Sequence, residues 1–370
     1  MEYEAKTVDF KKEGDIGDAF VSRQIMMKEG HPKDNYLTYI ELGITNACNL
    51  NCVHCGVYEL PIYATKVTGG KKVDAVIKAL DELDTLRLLS ITGGEPLMSP
   101  YYVDNIILPI LEFANSKKII SQINTNLVIP RQTLKMLVKK VSIIHTSFNY
   151  TNEENFGRIA FASKADKKRI HASYQQLLEN IKFLVKEGSC ITVETMLFFE
   201  TIEHFAEINH LVADLGVARQ EIQPPFPSNN ELFKVPTLEE LLFYMNKFLD
   251  ERNQNFLVQL DCAPFYWCNG NNQVVALLER MEQEPNLVTR VCPDGRSRFN
   301  LNLDGEVRVT DFSELLPIGS IHDKSLMEIY EEWRNSDLYQ KYNCECEEHR
   351  CLGPCILVAN TYYPQWQPGK

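Results

Sequence analysis

The sequence lacks an excess of basic residues, a membrane-length apolar run and a secretory signal. Its 370 residues carry 38 Lys+Arg against 50 Asp+Glu, a net charge of −12. That balance argues against a nucleic-acid backbone or an anionic membrane as the main partner. No apolar run approaches the ~18 residues needed to span a bilayer. The opening stretch MEYEAKTVDFKKEGD is acidic and has no apolar h-region. Internal repeats and low-complexity segments are missing as well. These absences lead us to expect a cytoplasmic chain with no nucleic-acid and no membrane partner. The 44% apolar content is enough for a large core. The length allows two or three domains of ~150 residues, or one barrel with an appendage.

The eleven cysteines carry most of the information. An odd count in a chain without an export signal is a poor disulfide framework. Three lie at Cys48, Cys52 and Cys55, Cys190 stands alone, and seven fall between Cys262 and Cys355. In a reducing compartment, thiolates clustered in this way bind metal more readily than they bridge. Cys190, opening a strand pattern, reads as a buried small hydrophobe.

From Leu37 to about Pro225 short β-branched apolar segments alternate with amphipathic helical ones. The strand candidates are Tyr39–Thr45, Leu88–Thr92, Ile119–Thr125, Ser142–Asn149, Ile191–Phe199 and Glu221–Gln223. The helical stretches lie near Lys72–Leu83, Val103–Ser116, Gln132–Lys140, His171–Glu187 and Ile202–Leu215, with Gly188 and Gly216 as C-caps of the last two. Parallel neighbours need crossover helices, so six such units predict a parallel sheet. The number suits a partial (β/α)6 TIM-like barrel, with a doubly wound open sheet as the alternative. From about Pro236 the pattern changes. A helix at Thr237–Asp250 leads into a cysteine-containing, Asn/Gly-rich stretch. A hairpin of Arg298–Asn302 and Val307–Thr310 follows, turned by Asp304-Gly305, and then a short helix near Ser325–Arg334. The expected organisation is an N-terminal extension over 1–36 packed on the barrel, a barrel over 37–235 and a cysteine-rich extension over 236–370.

The segment ITNACNLNCVHCG sets three thiolates at C-x3-C-x2-C straight after the first strand, where barrel folds build active sites. Three cysteines on one short loop can wrap a cubic iron–sulfur cluster while supplying only three of its four ligands, which leaves one iron open to a substrate or cofactor. A zinc site with His54 as fourth ligand is the alternative, but zinc is usually held by two separated ligand pairs. His54 then reads as a packing residue or as one that orients the loop.

This loop resembles the signature of the radical S-adenosylmethionine (radical SAM) superfamily. Thr92-Gly93-Gly94-Glu95-Pro96, after the second strand, is similar to the family's GGEP motif. Thr125-Asn126-Leu127, after the third, is similar to its TNG, with Leu127 in place of glycine. His145-Thr146-Ser147-Phe148-Asn149 ends the fourth strand, where relatives carry Ser-x-Asp, and Arg169 begins the helix leading to the fifth, as a related arginine often does. The resemblance spans most of residues 37–225. It implies a [4Fe-4S] cluster at Cys48, Cys52 and Cys55 whose open iron is chelated by the ammonium and carboxylate of SAM. It also implies SAM-binding roles for Gly93, Gly94, Glu95, Pro96, Asn126, Ser147 and Arg169. Glu95 and the glycine backbone would face the ammonium, and Arg169 the carboxylate.

The region after residue 261 resembles the SPASM/twitch extension of that superfamily, which carries auxiliary iron–sulfur clusters. Its cysteines are Cys262, Cys268, Cys292, Cys344, Cys346, Cys351 and Cys355. The stretch from Cys292 to Gly305 is similar to the family's Cys…Gly element, and CECEEHRCLGPC to its terminal four-cysteine run. Thr310 stands where relatives have a further cysteine, and Cys344-x-Cys346 is one residue tighter than usual. Two closed clusters need eight ligands, and seven cysteines are present, so the expectation is one or two auxiliary clusters of [4Fe-4S] type. Cys262, Cys268, Cys292 and Cys355 are assigned to one, Cys344, Cys346 and Cys351 to the other; a zinc ribbon is the alternative for the tail. Asp311 sits where sulfatase-maturating relatives place a general base; it reads as that base, as an iron ligand, or as a turn cap.

The resemblance implies reductive cleavage of SAM to methionine and a 5′-deoxyadenosyl radical, which takes a hydrogen atom from a substrate. The expected substrate is a ribosomal peptide or protein, crosslinked, oxidised or epimerised, and residues before Leu37 are too few for a fused recognition domain, so a leader-binding protein would be separate. A sugar or aminoglycoside alcohol is the alternative substrate. Flavodoxin or ferredoxin is the expected reductant. A non-enzymatic reading, as an electron carrier or zinc-stabilised binding module, leaves Gly93–Pro96 unexplained.

Overall fold

A computed structural model of the chain describes residues 4–8, 37–56, 70–224, 233–267, 270–290, 292–310, 317–342 and 355–363. Strand β1 (Tyr39–Gly43) leads through the cysteine loop towards α1 (Gly70–Asp81). The alternation then runs β2 (Leu88–Thr92), α2 (100–116), β3 (Ile120–Asn124), α3 (Arg131–Leu137), β4 (Ile143–Ser147), α4 (Glu153–Ala160), α5 (Lys167–Lys186), β5 (Ile191–Met196), α6 (Phe205–Asp214) and β6 (Arg219–Gln223). All six strand candidates are present. Several end short of their apolar pattern because residues such as Thr45, Thr125 and Asn149 already turn into the loops above the sheet. Gly188 and Gly216 adopt positive φ at the ends of α5 and α6, as C-caps require. Helix α2 widens by one residue per turn over Val103–Ile107. Pro109, which has no N–H to return to the preceding turn, follows directly.

Helix α4 was not legible in the sequence. Only eight residues long, it is opened by Asn152, whose side chain accepts from the Asn155 N–H. The change of pattern expected at Pro236 is also corrected. Helix α7 (Leu238–Glu251), β7 (Val258–Asp261), α8 (Asn272–Gln283) and β8 (Leu287–Arg290) carry the alternation on, with β7 parallel to β6 and β8 parallel to β7. These two strands have four residues each, too few to show a period. The hairpin forms as expected from β9 (Arg298–Asn302) and β10 (Glu306–Arg308), with Gly305 at φ +84°. It is followed by β11 (Gly319–Ser320), α9 (Leu326–Arg334), α10 (Asp337–Tyr342) and α11 (Ile356–Tyr362).

Strand β9 lies parallel against β1, Glu41 opposite Asn300. The described strands therefore form one sheet in the order β11-β10-β9-β1-β2-β3-β4-β5-β6-β7-β8. The C-terminal third of the chain thus extends the barrel-like sheet at both edges. Helices cover its convex face, where the main apolar core lies. The concave face is closed at the N-terminal ends of the strands by an apolar floor of Tyr39, Leu88, Ile120 and Ile143, with Val8 packed onto it. Val8 belongs to a segment tied down by the Ala5 N–H on the Lys139 carbonyl (2.9 Å). The rest of the expected N-terminal extension lies outside the described residues.

Above that floor the same face turns polar. Glu41, Gln122, Asn124, His145, Glu194, Arg219, Glu221, Gln259, Asp261, Asn300 and Arg298 follow one another at alternate strand positions. Strands two apart touch across the curve: Asn124 donates to Glu41 (3.1 Å) over β2. Parallel strands buried on both faces normally read as unbroken apolar runs, so this polar concavity marks the face where chemistry happens.

Candidate active site

Because the strands are parallel, their C-terminal ends form a single rim, and every motif of the first half sits on it. The loop of Cys48, Cys52 and Cys55 is pinned from three sides. Its Asn51 and Val53 N–H groups donate to the last carbonyls of α4, Ala160 and Ile159 (2.9 Å each). Leu50 and Val53 bury themselves in the core. The Arg169 guanidinium donates to the Asn49 carbonyl (2.9 Å) and lies 4.9 Å over the Phe161 ring. Arg169 thus holds the peptide between two cysteines. The Asp166 side chain caps the start of α5 by accepting from the Arg169 N–H (2.8 Å).

Gly93 and Gly94 make a close approach, but to the cysteine loop itself. A Cβ at Gly94 would stand 2.2 Å from the Ala47 carbonyl oxygen, and one at Gly93 2.3 Å from that of Thr45. The Gly94 and Glu95 N–H groups donate to Thr45 and Ala47 (2.6 and 2.8 Å). Pro96 is buried behind them. The Glu95 side chain is turned into the protein. It is fully buried and accepts from the Leu97 N–H (2.9 Å), the Thr125 hydroxyl (2.8 Å) and the Asn126 N–H (2.7 Å). Burial outweighs those donors and raises its carboxyl to about 7. The Asn126 amide donates to Asn49 Oδ1 (2.7 Å) and approaches the Cys48 sulfur at 3.6 Å. Leu127 adopts a left-handed backbone, at φ +55°. Asn180 holds the carbonyls of Leu127 and Ile129 (2.9 Å each). Ser147 ends β4, half-buried, opposite Glu194 of β5. Asn49, Thr125 and Asn180 were missed as supporting residues; only their positions beside the motifs could have pointed to them.

The thiols themselves are suited to a cation. Burial raises Cys52 well above its ordinary value, and the charges of Cys55 and Cys48 push it further. Three mutually repelling thiolates on one half-buried loop match the donor set of an iron–sulfur cluster held at three irons. His54 packs instead on Phe198, ring centroids 5.4 Å apart, and burial lowers it to about 4.

The second cysteine constellation assembles at the same rim. Cys262 follows β7 with a left-handed backbone (φ +52°), Cys292 follows β8, and Cys355 opens α11. All three are buried, and their sulfurs lie within 4.8 Å of one another. Hydrogen bonds from Cys262 and Cys292 drive Cys355 below the usual thiol range, helped by its helix N-terminus. Burial, first among its causes, pushes Cys292 up to about 12, and the bond with Cys292 raises Cys262. Three sulfurs gathered at one buried point are a donor set suited to a polynuclear cation. The sequence grouping of Cys262, Cys292 and Cys355 is thereby brought together. Cys268, Cys344, Cys346, Cys351 and Asp311 lie outside the described residues.

A parallel β/α barrel with thiolate groups gathered on its C-terminal rim defines a protein built around iron–sulfur chemistry. The radical SAM superfamily matches residues 42–212 and the YfkB-like domain residues 226–368. YfkA of Bacillus subtilis (strain 168) is 34% identical over 337 residues, covering 89% of this chain and 90% of that one. An AdoMet-dependent heme synthase of Oleidesulfovibrio alaskensis is 21% identical, covering 84% of this chain and 80% of the relative. Among solved structures, Streptococcus suis SuiB bound to SAM superposes with a TM-score of 0.60 at 14% identity, covering 94% of this chain and 79% of SuiB. SuiB bound to its precursor peptide SuiA gives 0.58, at 14% identity and over 92% of this chain and 76% of SuiB. The chain belongs to the radical SAM superfamily. Its cofactors are accordingly SAM and iron–sulfur clusters, the grouped C-terminal cysteines supporting an auxiliary one. No helix among the described residues is long and apolar enough to cross a membrane.

Proposed function

We propose that the protein is an auxiliary-cluster radical SAM enzyme that oxidises or crosslinks a peptide or protein substrate. Cys48, Cys52 and Cys55 would hold the catalytic cluster, and Cys262, Cys292 and Cys355 would contribute to an auxiliary one. Bound together, cluster and SAM supply a 5′-deoxyadenosyl radical able to take hydrogen from an unactivated C–H bond. The chain's own contribution is rigidity: Gly93, Gly94, Glu95, Asn126 and Arg169 fix the thiolate loop from below, and the closed floor excludes water from the concavity. The observation that carries the auxiliary role is the convergence of three buried sulfurs at the ends of β7 and β8. It supports electron-accepting chemistry on the rim that the catalytic loop shares. The peptide substrate is supported by SuiB, solved with its precursor peptide. A small-molecule substrate is the second reading, favoured by the heme-synthase relative and by a concavity lined with charged groups. Flavodoxin or ferredoxin would supply the electron, in the cytoplasm.

Anaerobically reconstituted protein given dithionite and SAM is expected to release 5′-deoxyadenosine, and Cys52→Ala to release none. No release from wild-type protein with its clusters intact removes this reading. Product analysis with the peptides and the small molecules encoded or made alongside the protein separates the two substrates.

A further inference from the structure

The concave face holds a cluster that the radical chemistry leaves unused. His145 of β4, Glu194 of β5 and Glu221 of β6 bring one imidazole nitrogen and two carboxylate oxygens within 4.8 Å of one another. We propose that these three residues bind a divalent transition-metal ion in the barrel interior, separate from both cysteine groups. The inference does not rest on the radical reading of the rim.

The three donors come from adjacent parallel strands, so the sheet fixes their spacing: Ser147 of β4 stands opposite Glu194, and Glu194 opposite Glu221. Two of the donors, His145 and Glu221, are held from behind by a second group, the arrangement that orients metal ligands. His145 Nδ1 sits 2.7 Å from the Thr192 hydroxyl, which leaves Nε2 pointing at Glu194, 3.5 Å away. That distance is too long for a good hydrogen bond and leaves room for a shared ion. Glu221 takes the Arg219 guanidinium on Oε2 (3.0 Å) and the Gln223 amide on Oε1 (2.6 Å). Oε1, with one donor, keeps a lone pair, because a carboxylate has about four acceptor sites.

A second, independent observation points to a missing cation. Asp261 is 5% exposed, and its Oδ1 has no hydrogen-bond partner among the described residues. Its other oxygen shares the Gln259 amide with Glu221 (2.7 and 3.4 Å). Glu194 and Glu221 share this buried place with Asp261, whose carboxyl burial raises to about 7, and with Arg219 and Arg290; gathering carboxylates there is expensive. A divalent ion on the imidazole and two carboxylates would offset that cost. One nitrogen and two oxygens suit manganese, iron(II) or zinc better than magnesium or calcium, while thiolate-seeking ions go to the cysteines. Three protein ligands leave positions for water or for an oxygen of the substrate. Such an ion would anchor substrate on the floor side of the concavity.

The probe is Mn2+, a hard ion with little taste for the cysteines. Cluster-loaded protein, freed of adventitious metal with chelator and kept oxidised so that its clusters are EPR-silent, is titrated with Mn2+. The bound fraction is read from the loss of the free six-line signal. One tight Mn2+ per chain is expected, with 14N modulation in pulsed EPR from a single imidazole. Glu194→Gln, nearly isosteric and on the half-exposed side of the cluster, should weaken binding by at least about 10-fold without moving the thermal midpoint of the metal-free protein. His145→Gln should remove the 14N modulation. Absence of a tight site, Mn2+ bound without 14N coupling, or undiminished binding by Glu194→Gln overturns the proposal. All of these readouts are independent of SAM cleavage.

Discussion

Single residues show how little slack the catalytic rim has. Gly94 is a glycine because the carbonyls of Ala47 and Asn46 occupy the place of a side chain. Both are backbone atoms of the cysteine loop and cannot swing away. Gly94→Ala should therefore cost about 2–3 kcal/mol and lower iron loading at that loop. Denaturation of the anaerobic holoprotein checks this, and a loss below about 0.5 kcal/mol would contradict the packing argument. Glu95 gives a pH dependence of known sign. Its carboxyl titrates at about 7 when folded, against an ordinary 4.5. The folded protein thus keeps a proton that the unfolded chain gives up, and this stability is complete below pH 4.5 and is lost as pH rises through 7. The loss is on the order of 3 kcal/mol. Other buried groups titrate in the same window, Asp261 to about 7 and Asp294 to about 6 among them, so the measurement is a difference. Unfolding free energy against pH should fall less steeply in Glu95→Gln than in wild type. An unchanged slope would mean that Glu95 is not the source.

At the scale of elements, the supports of the rim are mostly helix ends. Helix α4 gives its last carbonyls to the cysteine loop, and α5 gives Arg169 from its first turn. The helices that pack the outer layer are held by ordinary caps. Thr237 and Glu240 form a reciprocal box at the start of α7, the hydroxyl accepting from the Glu240 N–H (3.2 Å) and the carboxylate from the Thr237 N–H (2.8 Å). Thr237→Ala should destabilise the protein by about 1 kcal/mol with SAM cleavage unaffected, since α7 lies against β6 and β7 far from the cysteine loop in sequence and packs into a separate apolar cluster. Chemical denaturation alongside a 5′-deoxyadenosine assay distinguishes the two effects. Such caps are local, which is why the start of α7 at Thr237 and that of α9 at Ser325 were readable from sequence. Helix α4, eight residues long and opened by Asn152, was not.

For the whole molecule the decisive feature is the continuous sheet. Strands β7 and β8 extend it on one side and β9 on the other, and this delivers Cys262 and Cys292 to the rim that carries Cys48. Cys355 reaches them from the far end of the sequence. Cys292→Ala should lower the iron content by about 4 atoms per chain while leaving reductive cleavage of SAM, uncoupled from product. Iron counting and the ratio of 5′-deoxyadenosine to product test this, and normal turnover would remove the auxiliary role. The sequence pattern did not show β7 and β8 because a four-residue strand carries no period. The alternating charges of the concave face were equally hidden. Glu194, Glu221 and Asp261 look like unremarkable polar positions in three strands until the sheet curves and turns them towards one another.

The sequence by itself determined the cysteine spacings, the glycines that must pass close to backbone, the β/α alternation of the first half and the Asp304-Gly305 turn. Each of these depends on residues near one another along the chain, where stereochemistry acts directly. Only the tertiary structure decided that Glu95 and Arg169 brace the cysteine loop, that Cys262, Cys292 and Cys355 meet, and that His145 faces two glutamates. Those contacts join residues from about thirty to 120 positions apart in one chain, and their geometry is set by strand register and sheet curvature, to which no short stretch of sequence has access.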